Sequence, residues 1–355
     1  MKETISVIIF LLVVFLIFKG FVIDTAEGLG IKIPTSVNVF VSQDNGNSWH
    51  KLNTDGAKVS SGNISFNVSD TSFLFASNKG IFQSEQTKTN LKSKEKAEYP
   101  KSGHITDFIK DSQNPNIVYL LSRKITGNEL FVSYDYGKKF QKIFVLDNKD
   151  KISVFKTNPL YGSYLYIGTE NGLFLESRDG GRSWEKKKSF FPQPIIELAV
   201  NPLRGEIYIS LSSKITDIFF SNGAKTYDQK VLVSKNGGNK FIPIKKLNSE
   251  VVKIIKVDSL SGKTYFASEN KIFVLNGNNL TALGLIISEK NKISAFTINP
   301  GNSNILYIGV GDVLYITEDG GKSWQTVDSP VKGKRIKSIE VNPENPSNLL
   351  LTVEN

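Results

Sequence analysis

Three copies of an acidic, glycine-rich motif carry the side chains that most resemble a reactive or metal-binding site. The first reads Ser-Arg-Asp-Gly-Gly-Arg-Ser-Trp at 177–184, and near copies occupy 317–324 and 42–49. A carboxylate beside hydroxyl groups could accept a proton or bind a hard cation. Calcium, however, takes about six to eight oxygen ligands, whereas each motif offers a lone Asp with Lys or Arg following in two of the copies. The motif therefore predicts neither a metal site nor a catalytic one.

Other patterns that could carry chemistry each lack a required residue. Gly321-Lys322-Ser323 and Gly262-Lys263-Thr264 resemble the end of a phosphate-binding loop, but the Gly required five residues earlier is absent from both. His50 and His104 have no partners at zinc-ligand spacing, and the chain has no Cys. We therefore expect no metal and no cofactor.

The net charge of +10 comes mainly from Lys, because the chain has only five Arg. Arg is the side chain suited to bidentate recognition of phosphates and bases. Lys spread along a chain is more typical of a solvated surface. Nucleic-acid binding is therefore not predicted.

The acidic motif has the composition of a tight turn between two strands. The Asp side chain can accept hydrogen bonds from the backbone of its own turn, and Gly adopts positive φ without steric cost. The aromatic residue at the end of the motif can then lie across a neighbouring sheet. The residues to which we assign this structural role are Asp44, Trp49, Asp135, Asp179, Trp184, Asn236, Asp319 and Trp324.

The spacing of these turns predicts a repeated fold. The acid or its substitute falls at positions 44, 135, 179, 236 and 319, and degenerate copies at 80–84 and 272–277 fill the two double gaps. The resulting period of 42–45 residues, with four short strands A to D per unit, is typical of a β-propeller blade.

The two ends of the chain each supply half a unit. Residues 336–341 and 349–353 provide strands A and B, whereas 37–42 and the strand after Trp49 provide C and D. Joining the halves closes the ring and removes open sheet edges. We predict an all-β, seven-bladed β-propeller over residues 36–355.

The repeat resembles the Asp-box, or bacterial neuraminidase repeat, group of propellers. The residues that carry the resemblance are Asn158-Pro159, Tyr164-Leu165-Tyr166-Ile167-Gly168 and the turn at 177–184. The pattern is similar to that of the photosystem II assembly factor type, of sortilin-like receptors and of tandem-propeller xyloglucanases. This resemblance implies that the Asp turns face away from the ligand site, so that the B–C and D–A loops build the functional face.

The catalytic groups of enzymes in that group are not matched here. A sialidase would need three converging Arg, and a xyloglucanase would need two carboxylates facing each other across a cleft. Arg178 and Arg182 lie in one turn, and Asp107 and Glu197 are interpreted as surface residues at strand ends. We predict a non-catalytic protein; the alternative is a carbohydrate-binding or glycoside-hydrolysing propeller, sialidase-like or xyloglucanase-like.

Two groups of side chains on the expected functional face could bind a protein partner. Loops at 186–192 and 212–229 carry four Phe, which could form an apolar patch ringed by Lys or could instead pack on one another and cap the blade. D–A loops at 89–96 and 332–335 are basic and could attract an acidic protein, an anionic glycan or lipid headgroups; a solvated charge run is the alternative. The predicted partner-binding residues are Phe190, Phe191, Phe219, Phe220, Lys92, Lys94, Lys334 and Arg335. They would make the protein an assembly factor, a scaffold or a subunit of a surface complex.

Residues 5–18 form a nearly unbroken apolar run flanked by Lys2 and Lys19. The run has the length of a signal-peptide core, but no small-x-small cleavage site follows it, and apolar residues beyond Lys19 extend it toward the ~20 residues of a membrane span. We predict an uncleaved membrane anchor over 1–23, a linker over 24–35 and a propeller on the extracytoplasmic side of the cell membrane. The alternative is secretion after signal cleavage.

Overall fold

Short antiparallel strands follow the alternating apolar runs of the sequence. The computed structural model describes residues 36–52, 59–66, 73–77, 80–86, 91–95, 104–124, 126–147, 149–212, 229–248, 250–285, 287 and 291–354. Within these ranges there are 28 strands, one 3-10 turn at Lys245–Leu247 and no α-helix. The prediction of an all-β fold is confirmed for this part of the chain.

Five sheets consist of four strands that follow one another in sequence and pair antiparallel. Sheet 2 contains β7 (His104–Lys110), β8 (Val118–Lys124), β9 (Gly127–Ser133) and β10 (Gln141–Asp147). Sheet 3 contains β11 (Ile152–Thr157), β12 (Leu165–Thr169), β13 (Leu173–Ser177) and β14 (Glu185–Ser189). Sheet 4 contains β15 (Ile195–Asn201), β16 (Glu206–Leu211), β17 (Lys230–Ser234) and β18 (Ile242–Pro243). Sheet 5 contains β19 (Ile254–Val257), β20 (Thr264–Ala267), β21 (Ile272–Asn276) and β22 (Asn279–Ala282), and sheet 6 contains β23 (Ile293–Ile298), β24 (Leu306–Val310), β25 (Val313–Thr317) and β26 (Gln325–Asp328).

Sheet 1 has eight strands and joins both ends of the described chain. Its strands are β27 (Ile336–Val341), β28 (Leu349–Glu354), β1 (Ser36–Ser42), β2 (His50–Lys51), β3 (Val59–Phe66), β4 (Phe73–Ser77), β5 (Gly80–Gln86) and β6 (Leu91–Glu95). Strand β1 pairs with β28 along its length and also with β3, through Ser36 opposite Ser60 and Val37 opposite Val59. The prediction of seven separate blades is therefore wrong: the described strands form a propeller of six sheets, because the β1–β3 pairing merges two units that sequence spacing treats as separate.

The predicted N-terminal anchor and linker, residues 1–35, lie outside the described residues. Across the part of the chain that the structure does describe, no helix has the length and the apolar character needed to cross a membrane. The predicted N-terminal helix and the single-pass membrane location are corrected accordingly, since the structure supports neither.

The first strand of each four-stranded sheet is the innermost. Strands β7, β11, β15, β19 and β23 lie beside one another around the axis, and β27 and β3 of sheet 1 complete the ring. The Gly of the repeated Tyr-Ile-Gly pattern makes this packing possible. A Cβ at Gly168 would lie only 2.6 Å from the side chains of Ile195 and Val154, and one at Gly309 would lie 2.6 Å from Ile336. Gly therefore lets the next inner strand pack directly on the sheet.

Candidate functional site

The strand order gives the propeller two different faces. The A–B hairpins and the C–D turns, which include the acidic motifs, lie at one end, which we call the hairpin face. The B–C turns and D–A connections lie at the other end, which we call the loop face. Backbone hydrogen bonds of 2.9 Å join the two kinds of turn on the hairpin face, from Gly180 N–H to the Ser163 carbonyl and from Gly320 N–H to the Asn304 carbonyl.

On the loop face, two of the four Phe of the predicted patch are described, and they point in different directions. The Phe190 ring packs edge-on against Phe241, with centroids 5.3 Å apart, and joins the core between sheets 3 and 4. Phe191 is 71% exposed. Phe219 and Phe220 lie outside the described residues. Phe190 thus packs into the core between sheets 3 and 4 through Phe241, which is not one of the four Phe of the predicted patch, whereas Phe191 faces solvent.

The predicted basic residues of the loop face lie in different elements of the chain. Lys92 and Lys94 fall within strand β6 rather than in a D–A loop. Lys334 is exposed in the turn before β27. The guanidinium of Arg335 lies 2.7 Å from the carboxylate of Glu354, which also contacts Lys337 and so offsets part of their combined charge.

The acidic turns form closed hydrogen-bond networks. Asp179 Oδ1 accepts bonds from the Ser177 hydroxyl (2.8 Å) and the Ser183 N–H (2.9 Å), and Oδ2 accepts one from the Ser183 hydroxyl (2.6 Å). The bonds from Ser183, aided by that from Ser177, lower the pKa of Asp179 to about 2. Oδ1 of the equivalent residue accepts the same two hydrogen bonds, from a hydroxyl and from a backbone N–H, in the other four turns, at Asp44, Asp135, Asp319 and Asn236. These oxygens are occupied within their own turns.

The aromatic residue that ends each motif packs against the preceding sheet. The Trp184 ring lies 5.0 Å from that of Phe144 in β10, and its indole N–H donates to the Gly181 carbonyl at 3.1 Å. Trp49 packs into the core that sheet 1 shares with sheet 6, and Trp324 into the core that sheet 6 shares with sheet 5. Each of these eight-residue motifs thus forms a turn and also adds an aromatic side chain to the core between two sheets.

We expect Asp179→Ala to lower the melting temperature more than Asp179→Asn does. Asn can keep the Oδ1 bonds, as Asn236 does in its own turn, but it loses the acceptor of the Ser183 hydroxyl. Because the pKa of Asp179 is lowered in the folded state, the carboxylate stabilises the fold above pH ~4, and this contribution disappears as the pH falls toward 2. Thermal unfolding at neutral and acidic pH measures both effects. Ser183→Ala, as a control, should resemble Asp179→Asn; equal melting temperatures for Asp179→Ala and wild type would contradict the role.

The inner strands direct charged side chains into the central channel. The pairing register places Asp107 and Glu197 at equivalent positions of β7 and β15, and Lys156 two positions beyond the corresponding residue of β11. Lys156 Nζ lies 3.0 Å from Glu197 Oε1. Attraction to Lys256 of sheet 5 and to Lys156 of sheet 3 acts to lower the pKa of Glu340 in sheet 1. Neither sheet 3 nor sheet 5 adjoins sheet 1. Such interactions run across the channel, so interpreting Asp107 and Glu197 as strand-end surface residues was wrong.

Burial within the ring changes the ionisation of this cluster. It raises the pKa of Asp107 to about 6, against the opposing attraction of Lys156. Burial likewise raises the pKa of Glu340, which Lys256 and Lys156 oppose. Burial alone would lower the pKa of Lys156, because it disfavours the charged ammonium. The attraction of the Glu197 and Asp107 carboxylates is larger in sum, so the pKa of Lys156 is raised. A signal for this cluster exists in the sequence, since each residue is a charged side chain next to apolar residues of a first strand.

A carboxyl group with a raised pKa near an ionised one is the combination that glycosidases use. In the channel, however, Lys156 is paired with Glu197. The register neighbours of Asp107 and Glu197 in the other described inner strands are Val154, Ala295 and Ser338. Among these described positions no aromatic ring is available on which a sugar could stack.

Exposed apolar side chains are concentrated on the hairpin face. Nine large apolar side chains are exposed among the described residues, and six of them lie in the turns of four consecutive sheets, 2 to 5. These six, which we call the apolar arc, are Tyr134, Tyr136, Leu160, Tyr161, Leu203 and Leu260. The arc lies on the face that the family resemblance had assigned to structure alone.

Hydrogen bonds between neighbouring hairpins hold the apolar arc in place. The side chains of Ser112 and Gln113 both donate to the Pro159 carbonyl at 2.7 Å, which joins the hairpins of sheets 2 and 3. Asn201 Nδ2 donates to the Gly262 carbonyl at 2.8 Å, which joins those of sheets 4 and 5. The Tyr161 ring lies 5.5 Å from that of Tyr164. A surface ordered in this way loses little entropy when a partner binds.

These features define a β-propeller with an apolar surface at one end, and comparison with known proteins agrees on the fold. Residues 128–284, less than half of the chain, match the family model described as sortilin, neurotensin receptor 3. No curated protein matches the chain. The similarity to sortilin-type propellers is therefore found over the middle of the chain.

Three solved structures illustrate the fold. A GH74 enzyme from Niastella koreensis superposes with a TM-score of 0.65 at 16% identity, over 89% of this chain and 53% of its own. The GH74 xyloglucanase from Xanthomonas campestris gives 0.63 at 12% identity, over 83% of this chain and 50% of its own. YCF48 bound to a D1 peptide gives 0.58 at 14% identity, over 84% of this chain and 95% of its own.

The chain thus spans about half the length of the two GH74 enzymes. At identities this low the likeness shows the fold alone. The neighbours agree with the photosystem II assembly factor and xyloglucanase resemblances at the level of fold, whereas the narrower Asp-box assignment stays a prediction.

Proposed function

We propose that this chain is a non-catalytic propeller that binds a protein partner, acting as an assembly factor, scaffold or complex subunit, and that the partner docks on the hairpin face. The observation that carries the proposal is the apolar arc. Single exposed apolar residues are ordinary on protein surfaces, but grouping on one face marks an interaction site. Three of the six side chains are Tyr, a residue enriched among those that dominate binding energy.

The fold is compatible with this role. One structure of the same fold, YCF48, is bound to a D1 peptide. For the present chain, the carboxylates of the acidic turns are engaged in hydrogen bonds, and Arg335 is paired with Glu354. The apolar arc therefore offers a docking surface that these internal contacts leave exposed.

The proposal is tested by comparing partner recovery between matched variants. Leu160→Ser with Tyr161→Ser should reduce a cross-linked partner about tenfold or more, because two contact side chains are lost together. Val145→Ser with Ile242→Ser is the control, since these residues are about as exposed but lie on outer strands. A third variant, Phe191→Ser, tests the loop face. Unchanged recovery with the folded Leu160 and Tyr161 variant would contradict the proposal, and a loss confined to Phe191→Ser would place the partner on the loop face.

A carbohydrate-active propeller is the second candidate, favoured by the raised pKa of Asp107 beside Glu197 and by the GH74 likeness in fold. It predicts hydrolysis of xyloglucan oligosaccharides that Asp107→Asn and Glu197→Gln each abolish. Under the protein-binding proposal, none of the three proteins hydrolyses them.

A further inference from the structure

The turns that carry the apolar arc, together with the strand ends beside them, expose more cations than carboxylates. The exposed basic side chains in the described turns of sheets 2 to 4 are Lys138, Lys139, Arg178, Arg182, Arg204, Lys235 and Lys240. The carboxylates of the described turns of sheets 2 to 5 and of the strand ends beside them are Asp111, Asp135, Glu176, Asp179, Glu185, Glu206 and Asp258. Of these, Glu185 is exposed and lies 3.2 Å from Lys187, Asp135 and Asp179 are half-buried, and the others are buried. The solvent-facing charge around the arc is therefore positive.

Some of these cations are balanced internally, and others are not. Arg178 lies 3.1 Å from the buried carboxylate of Glu176, and Lys235 lies 3.4 Å from that of Glu206. In contrast, Lys138, Lys139, Arg182 and Arg204 form no salt bridge within the described part of the chain. These four belong to sheets 2, 3 and 4, so exposed cations outside any salt bridge follow the arc around the face, with the charge of Asp135 acting on Lys138 in its own turn.

We infer that the partner of the hairpin face presents an acidic protein segment that carries apolar or aromatic side chains. The inference rests on the proposed function and adds the chemistry of the partner. Burial of apolar side chains against the arc would supply most of the affinity. Complementary charge around it would speed association and exclude basic competitors, with an effect that salt weakens.

The geometry favours such a segment over a purely anionic ligand. Three Tyr and three Leu side chains are exposed on the same face as the cations, and a polyanion without apolar groups would leave them in contact with water. A second copy of this chain would bring the same cations together across the contact, which is unfavourable. An acidic, apolar segment satisfies both parts of the surface.

Selection from a displayed library of random peptides tests this inference. The full chain serves as bait, and the chain with Leu160→Ser and Tyr161→Ser serves as the subtraction bait. Enriched peptides are then synthesised and their dissociation constants measured by fluorescence polarisation at low and high salt. Lys139→Glu with Arg182→Glu reverses two of the cations, and Lys149→Glu with Lys332→Glu is the matched control on the loop face.

We expect enriched peptides to be acidic and to contain apolar residues. The Lys139 and Arg182 reversal should weaken their binding about tenfold at low salt and less at high salt, whereas the control pair should change it little. Arc-dependent peptides that are neutral or basic would overturn the acidic partner while leaving the proposed function standing. The absence of any arc-dependent peptide would count against both.

Other occupants give distinct results. Arc-dependent self-association in light scattering would identify a second copy as the occupant and overturn the inference. Arc-dependent binding to an array of anionic oligosaccharides, without acidic peptides among those selected, would overturn it in favour of a glycan.

Discussion

Replacing Phe174 with Ala should lower the free energy of unfolding by about 3–5 kcal/mol. The Phe174 ring is fully buried between sheets 3 and 4. It stacks on Tyr166 at 6.2 Å and meets Phe241 edge-on at 5.7 Å. The backbone of Gly238 approaches so closely that a Cβ there would lie 2.7 Å from the ring. Truncation would therefore leave a cavity that a rigid turn cannot fill.

Urea denaturation followed by Trp fluorescence measures this loss. Phe191→Ala is the matched control, because its ring is 71% exposed and its removal should change the free energy of unfolding by less than about 0.5 kcal/mol. Equal effects of the two substitutions would show that sheets 3 and 4 are not held together by the Phe174 contact.

Asp107→Asn should stabilise the protein at neutral pH, by at most roughly 3 kcal/mol. The pKa of Asp107 is about 6 in the folded protein, whereas its ordinary value is 3.8. At a pH between these two pKa values, Asp107 is ionised in the unfolded chain but protonated in the folded chain. The contribution of Asp107 to the free energy of unfolding therefore falls as the pH rises. Above pH 6 Asp107 is ionised in the folded protein as well, and the full cost of burying its charge lowers the stability. Asn does not ionise, so Asp107→Asn removes this cost.

The difference in unfolding free energy between Asp107→Asn and wild type should therefore grow from pH 4 to pH 7. Val154→Ala, at the equivalent register position of β11 and in the core between sheets 3 and 4, alters packing without adding or removing a proton, so its difference should stay constant over this range. A pH-independent difference for Asp107→Asn would mean that the channel does not raise the pKa of Asp107. The result would also bear on the carbohydrate alternative, since that candidate depends on a protonated Asp107.

Local signals predicted the turns and strands. Asp179, its neighbouring Ser and the following Gly lie within a few residues, so the bonds that organise the turn depend on sequence alone. The repeat spacing then predicted strands that pair with their sequence neighbours, and sheets 2 to 6 follow that rule. The motif also predicted a structural role for Trp184, and its ring lies against Phe144 of the preceding sheet.

The candidate sites depended on contacts that spacing does not encode. Asp107 and Glu197 look like isolated acids in the sequence, but the ring brings them together with Lys156. Arg335 looks like a free cation, but it forms an ion pair with Glu354 of the neighbouring strand, a carboxylate that Lys337 also contacts. Tyr161 and Leu203 are 42 residues apart, and they belong to one surface because equivalent hairpins of successive sheets emerge at the same end.

The amino-acid sequence by itself thus determined the antiparallel hairpins, the Asp turns and the propeller class, because these depend on interactions between residues close in the chain. Only the tertiary structure decided that β1 pairs with β3 as well as β28, which joins eight strands in one sheet. It also decided which charges face the channel and which apolar side chains remain exposed on the hairpin face. The physical reason is that burial and electrostatic pairing between sheets depend on the closure of the ring, and closure joins residues from opposite ends of the chain.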